Sequence, residues 1–278
     1  MYPFKLMLMT RDPGIAVWAE GSGVDRIFVD LEVMGKAERQ AGRSTIISYH
    51  TLEDVKAVRG VLETAELLVR VNPMYQGSPG EIDAVIEAGA DVVMLPMFTT
   101  PQEVAEFTHC VRQRAKTCLL LETAAAAVRV EQILAVPGID EVHVGLNDLH
   151  ISTGLTFMYE LLAGGVVDYL SARIMDCSPG ILFGFGGGAR IASQHPVKPA
   201  DVLREHVRLG SHMIILSRTF VGRTESLAEL RKDTDLPSEI QAIRQVLSLA
   251  AERTADEMEA DRIRVRDAIW QATAAMRR

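Results

Sequence analysis

Short apolar runs recur along the chain at intervals too regular to be accidental. They are FKLMLMT (4–10), RIFVDLE (26–32), ELLVRVNP (66–73), DVVMLPM (91–97), KTCLLLET (116–123), EVHVGLND (141–148), ILFGFGGG (181–188) and HMIILSRTF (212–220). Between most of them lie stretches with apolar residues at helical spacing, such as SPGEIDAVIEAGA and TPQEVAEFTHCVRQRA. Ser78-Pro79 and Thr100-Pro101 read as helix starts, a hydroxyl cap followed by a proline that needs no hydrogen-bond partner. Near-continuous apolar strands alternating with helices predict a parallel sheet buried on both faces. Eight such units suit a (β/α)₈ barrel, which takes roughly 250 residues. A doubly wound sheet usually carries a glycine-rich fingerprint after its first strand, and MTRDPGIAVWAEG carries none. The expected fold class is therefore α/β, a (β/α)₈ TIM barrel over residues 1–236 with an extra C-terminal helical segment at 237–278.

In such a barrel the C-terminal ends of all strands open into one cup, where active sites are built. Those ends carry Asp30 and Glu32, Arg70 and Asn72, Glu122, Asn147 and Asp148, Arg190, and Ser217 with Arg218. Every strand needs some polar terminus, but that need does not account for carboxylates, amides and arginines on six of them. LLLETAAAA (119–127) poses the question sharply, because a carboxylate ending an apolar run is costly to desolvate without a cation beside it.

The segments VDLE, LLVRVNP, AGADVVMLPM, LLLETAAA and GIDEVHVGLNDLHISTG follow one another in an order and spacing that resembles the HpcH/HpaI aldolase and citrate lyase β-subunit family, over roughly residues 4–222. The resemblance implies a divalent-metal-dependent carbon–carbon lyase, a class II-type aldolase on a barrel, that cleaves or forms the adduct of a pyruvate-like 2-oxo acid with an aldehyde. By the same resemblance Glu122 and Asp148 hold the cation and Arg70 binds the substrate carboxylate. The residue chemistry agrees. Two carboxylates suit Mg²⁺ or Mn²⁺, which prefer oxygen and keep open positions, and the planar fork of arginine suits a carboxylate. The other reading of Arg70 is that it neutralises Asp30 or Glu32, which makes those two acids part of the catalytic set.

The departures matter as much. Where the pyruvate-aldolase branch has a pattern like DGEH, with its histidine as general base, this chain reads DLEV and offers Val33. The acidic pair is closer to the citrate lyase branch, and a sub-branch reading DLE…GK…RQ looks closer still. His50 either supplies the missing base from the loop after the second strand or caps and packs ahead of Thr51. His150 either faces the cup or lies on the surface. Gly186 and Gly187 in GFGGGAR either cradle an anion beside Arg190 or form a close-packed turn. Substrate binding is accordingly assigned to Arg70, Asn147, Arg190, Gly186 and Gly187, and catalysis to Arg70, His50, Asp30 and Glu32. The partner aldehyde is open, phosphorylated ones included. A citrate-lyase-like acyl-CoA lyase and a non-catalytic ligand-binding barrel are the alternatives.

Composition narrows the field. A net charge of −8 with no basic block argues against nucleic acid and anionic membrane as partners. No run of apolar residues is long enough to span a bilayer, and the N-terminus does not read as a signal peptide. Cys110, Cys118 and Cys177 share no metal or redox spacing and read as buried thiols in a reducing, cytoplasmic setting. The tail places Ile240, Ile243, Val246, Leu247 and Ala250 at helical spacing, an apolar stripe expected to meet a neighbouring subunit in a homo-oligomer. Residues 156–174 are expected to form a helical excursion over the site.

Overall fold

The computed structural model describes residues 4–35, 50–177, 179–221 and 227–277. The strands are β1 Lys5–Met9, β2 Arg26–Asp30, β3 Glu66–Arg70, β4 Val92–Leu95, β5 Lys116–Leu121, β6 Glu141–Val144, β7 Leu182–Gly188 and β8 Met213–Leu216. They pair in chain order, all parallel, and β8 returns to β1 with Lys5 opposite Met213 and Leu8 opposite Leu216. The fold is thus a closed (β/α)₈ barrel.

Each strand is shorter than its apolar run; Asp30 and Arg70 still close β2 and β3, whereas Glu32, Asn72, Glu122, Asn147, Asp148 and Arg218 lie beyond the sheet. The helices between strands include α1 Pro13–Gly21, α2 Leu52–Arg59, α3 Ser78–Glu87, α4 Pro101–Val111, α5 Ala124–Val128 and α6 Val130–Leu134. Beyond β6 come α7 Leu146–Ser152, α8 Glu160–Ala163, α9 Val166–Cys177 and α10 Pro199–Arg208. Thr100 caps α4 as its sequence predicts, in a reciprocal box with Glu103. Ser78 does not cap α3. It is the first helical residue, its buried hydroxyl instead accepting from the Tyr75 amide at 2.9 Å.

Alternation along the strands sorts side chains into two apolar layers. Met7, Phe28, Leu68, Met94, Cys118 and Met213 fill the barrel, while Leu6, Ile27, Val69, Val93, Leu119 and Phe183 pack outward beneath the helices. Of the three thiols only Cys118 is fully buried, Cys110 is half-buried, and Cys177 is exposed, which corrects the reading of all three as buried. Burial pushes the Cys118 thiol well above its usual value. On the outer layer His206 of α10 stacks on Phe185 at 3.7 Å and donates to or accepts from Ser211 Oγ at 2.8 Å.

The N-terminal end of the barrel is plugged by charge. Arg26 is fully buried and meets Glu141 through two hydrogen bonds of 2.6 and 2.8 Å and Glu66 at 2.6 Å. Lys5 and Lys116 each reach Glu66 at 2.6 Å. Although burial favours the neutral acid, these three cations hold the Glu66 carboxyl down at about 2.

The tail forms α11 Leu227–Asp233, α12 Leu236–Ala251 and α13 Ala255–Met276. Ile240, Ile243, Leu247 and Ala250 are buried, with α12 lying on α10 and α13 on α8 and α10. The stripe predicted to meet a neighbouring subunit is used to cover this chain's own barrel. Among the described residues no helix is long and apolar enough to cross a membrane.

Two outcomes follow from the charged plug and the buried imidazoles. Glu141→Ala takes two hydrogen bonds from the buried Arg26, leaving Glu66 as its carboxylate partner, and should cost about 3–5 kcal/mol in urea unfolding. Glu131→Ala, which removes an exposed partner of Arg173, should cost less than about 0.5 kcal/mol. Equal effects of the two would show that the plug is not a buried ion pair. Burial also lowers His143 to about 4 from 6.5, so the unfolded chain binds a proton that the folded one refuses. Stability is therefore full above pH 6.5 and falls as pH drops toward 4, after which Glu66 removes more between 4.5 and about 2. Urea midpoints that stay flat from pH 7 to 4 would contradict this.

Candidate active site

The strand ends meet in a cavity of about 480 Å³ at the C-terminal face. Arg70 of β3, Glu122 beyond β5, Asn147 and Asp148 of α7, Gly186 and Gly187 of β7, and Arg218 beyond β8 all line it. Parallel strands in sequential order bring these distant residues to one rim.

Arg70 is anchored before any ligand arrives. Its Nε and Nη2 donate to the two oxygens of Asp30 at 2.8 Å each, and Nη2 lies 3.3 Å from Glu32. Its guanidinium carbon sits 5.6 Å from the Phe28 ring centroid. Asp30 and Glu32 are almost fully buried, so the pairing is what makes their charge tolerable. Burial alone would lower the guanidinium, but the fields of Asp30, Glu32 and Glu122 raise it and keep it charged. The fork is thus partly spent on its own chain, while Arg70 still lines the cavity.

Arg218 is the cation that strand-end counting named but did not assign to the site. Burial, and then the like charge of Arg70, lower its guanidinium, while Asp30 opposes that shift. Arg190 is a correction in the other direction. Its Nη1 donates to the Asp233 carbonyl at 3.2 Å and to Thr234 at 3.3 Å, which turns it toward the C-terminal helices and away from the cavity. Of the two glycines named for an anion, Gly187 has room for a Cβ, which would meet only the Ile215 carbonyl at 3.4 Å, whereas Gly186 does not. A Cβ on Gly186, whose φ is +55°, would lie 2.8 Å from Leu146 Cδ1, and one on Gly188 2.8 Å from Ile214 Cδ1.

The surroundings of Glu122 suit a cation. The carboxylate is buried, and Met97 Nα–H approaches its Oε1 at only 3.3 Å. Met97 adopts φ +55°, a left-handed conformation of the kind that collects at functional sites. A Cβ on Gly145 would come within 2.8 Å of Glu122 Oε2, so glycine there keeps space beside the carboxylate, three residues before Asp148. Among the described residues no group of three His, Cys, Asp or Glu side chains forms a metal cage. Two hard oxygen donors with the remaining positions left to water or substrate fit Mg²⁺ or Mn²⁺ and not zinc.

The histidines fall elsewhere than the sequence suggests. His50 Nδ1 accepts from the Asp30 amide at 3.0 Å. A backbone amide can only donate, so neutral His50 must carry its proton on Nε2 and presents a donor, not the vacant base expected of it. His150 is buried on α7 with Nδ1 3.3 Å from the Leu146 carbonyl, neither on the surface nor lining the cavity. His143 of β6, which the motifs pass over, does line the floor, with Nε2 2.9 Å from the Gly186 carbonyl. Its signal in the sequence is only parity, since it alternates with outward-facing Val142 and Val144. The Lys36–Gln40 portion of the DLE…GK…RQ motif lies outside the described residues.

Residues 5–163 match the family model described as HpcH/HpaI aldolase/citrate lyase. No curated protein matches the chain. Among solved structures it is similar to an HpcH/HpaI aldolase/citrate lyase family protein from Burkholderia cenocepacia, with 18% identity, TM-score 0.60, and coverage of 88% of this chain and 93% of that one. An HpcH/HpaI aldolase from Desulfitobacterium hafniense gives 16% identity and TM-score 0.60 over 91% and 94% of the two chains. The citrate lyase β subunit from M. tuberculosis, solved with oxaloacetate and magnesium, gives 19% identity and TM-score 0.60 over 88% and 97%. With the family model spanning more than half of its length, this chain belongs to the HpcH/HpaI aldolase/citrate lyase family.

Proposed function

We propose that the protein is a divalent-metal-dependent carbon–carbon lyase that cleaves, or in reverse forms, the aldol adduct of a 2-oxo acid. The observation that supports this best is the joining in one cavity of two carboxylates, Glu122 and Asp148, with two arginines, Arg70 and Arg218. Magnesium and oxaloacetate together in the M. tuberculosis relative support the same ligand class. A Mg²⁺ or Mn²⁺ ion held by Glu122 and Asp148 would supply Lewis acidity toward the keto oxygen of the substrate.

The chain's own residues account for the rest. Arg218, with Arg70, receives the substrate carboxylate, and Asp30 and Glu32 hold Arg70 in place to do so. In cleavage the C4 hydroxyl loses its proton and becomes the aldehyde carbonyl. The C3–C4 bond breaks, its electron pair stays with the 2-oxo acid fragment, and C3 then takes up a proton. We assign the hydroxyl proton to water in the cavity. His50 presents a donor, His150 is buried in α7, and His143 Nδ1 is sealed from solvent, so His195 is the one cavity-lining histidine, among the described residues, left to relay that proton to solvent. An acyl-CoA substrate is less well matched, because Arg190 is turned toward the C-terminal helices.

Three measurements test this reading. Glu122→Ala or Asp148→Ala should abolish Mn²⁺ binding in calorimetry with the unfolding midpoint retained. Unchanged affinity in both variants would end the metal assignment. Arg218→Gln should weaken pyruvate binding in the presence of Mn²⁺ by about 1–3 kcal/mol, the worth of a charge-assisted hydrogen bond. Pyruvate affinity equal to wild type would remove Arg218 from the site. His50→Gln keeps an acceptor for the Asp30 amide, so kcat should stay within about threefold of wild type, against the roughly 10²–10⁴-fold typical of a lost general base. A fall beyond tenfold, with the acidic limb of the pH–rate profile flattened, would return the base to His50.

A further inference from the structure

We infer that the half of the substrate that leaves as an aldehyde is apolar and uncharged, an aryl or branched-alkyl aldehyde and not a phosphorylated or acidic one. The inference rests on the lyase reading above for its reaction and on the shape of the cavity for its ligand. Arg70, Glu122, Asp148 and Arg218 gather the charge of the cavity. The rest of its wall is dominated by Leu146, Phe157, Met158, Tyr159, Val197 and Val202. The polar exceptions are Asn147 and His195, both exposed, His143, and Ser217 and Thr219, which flank Arg218 and hydrogen-bond to each other at 2.7 Å. A ligand in that apolar part is therefore desolvated against hydrocarbon, and a charged or polyhydroxylated group there would lose its hydration without replacement.

The wall is built and not incidental. The almost fully buried Glu160 accepts from the amides of Thr156 and Phe157 at 2.9 Å each, which ties down the turn that presents Phe157, Met158 and Tyr159. Arg277 of the tail donates to Glu160 at 3.1 Å and to Thr156 at 3.2 Å, so α13 braces the same turn. Phe157 and Tyr159 meet edge to face at 5.3 Å. Burial pushes the Tyr159 hydroxyl up to about 12, so it brings no charge. The features that suggest an anion in the sequence are spent otherwise. Arg190 bonds to Asp233 and Thr234, and Gly186 is small because Leu146 packs against it.

Size agrees as well. An apolar cavity of about 150 Å³ suffices for a benzene ring. With about 480 Å³ in total, the cavity holds a three-carbon oxo acid and a cation at the charged residues and a ring-sized group beyond.

The test separates binding from chemistry. 2-Oxo-4-phenylbutanoate lacks the C4 hydroxyl and cannot be cleaved, and 2-oxobutanoate is the same acid without the ring. With Mn²⁺ present, calorimetry should give the phenyl acid a Kd at least about tenfold lower, since burying a ring more than offsets its ordering. Equal or weaker binding of the phenyl acid would overturn the inference. Met158→Asn, at a half-buried position, should cut the ratio of the two Kd values at least about threefold by placing an amide where the ring binds. The near-isosteric Val197→Thr serves the same purpose if that variant does not fold, and an unchanged ratio in a folded variant would also overturn it. Cleavage of 4-hydroxy-2-oxo-4-phenylbutanoate to pyruvate and benzaldehyde is then assayed on the wild type. Tight phenyl binding with cleavage of neither this adduct nor the one derived from glycolaldehyde would support the apolar subsite and sink the lyase reading, whereas faster cleavage of the glycolaldehyde adduct would sink the aldehyde class alone.

Discussion

Closure of the sheet is the constraint on which the other features depend. Once β8 pairs with β1, no strand edge is left, and every side chain of every strand must point either into the barrel or beneath a helix. Interior volume is then fixed, and methionine, leucine and phenylalanine fill its middle. Charged groups fit only at the two ends, where strands give way to loops. Both ends use the same solution, a buried arginine held by carboxylates that other strands carry, but to opposite effect. Arg26 is engaged by Glu141 and Glu66 and closes the N-terminal end, while Arg70 is held from one side by Asp30 and Glu32 and keeps another side at a cavity.

That difference explains why one end is a plug and the other a candidate site. An ion pair satisfied all round contributes rigidity but no chemistry. A guanidinium fixed by its own chain has already lost the rotamer freedom that binding would otherwise cost. The same economy holds for Glu122, which a left-handed Met97 and a small Gly145 surround without filling the space beside it. Asn72 does comparable work for the loop after β2, accepting from the Val33 and Met34 amides at 2.9 and 3.0 Å while donating to Glu81.

The C-terminal helices join this arrangement from outside. α12 lies against α10 and ties back to the start of the barrel, where Arg244 donates to Phe4 and Asp25. α13 ends at Glu160, beneath the turn that forms the apolar wall. A segment that is surplus to eight βα units thereby supports the part of the rim that the strands themselves do not reach.

The amino-acid sequence by itself determined the strand count, the parallel order and the ring of polar strand ends, because periodicity and turn chemistry are local properties of the chain. Glu122, Asp148 and Arg70 could be picked from motif and strand-end position alone, and the structure brings all three to one cavity. Only the tertiary structure decided what each side chain faces. Arg190 and Arg218 look equivalent as strand-end arginines, yet one binds Thr234 of the tail and the other the cavity, a choice made by how the C-terminal helices pack. His50 looked like a vacant base until the Asp30 amide, twenty residues earlier, was found on its ring nitrogen. The pairing of Arg26 with Glu141 spans 115 residues, and no spacing within either strand encodes it. Partners of buried polar groups are set by through-space geometry that exists only after the barrel closes, so they are where the reading of the sequence stopped.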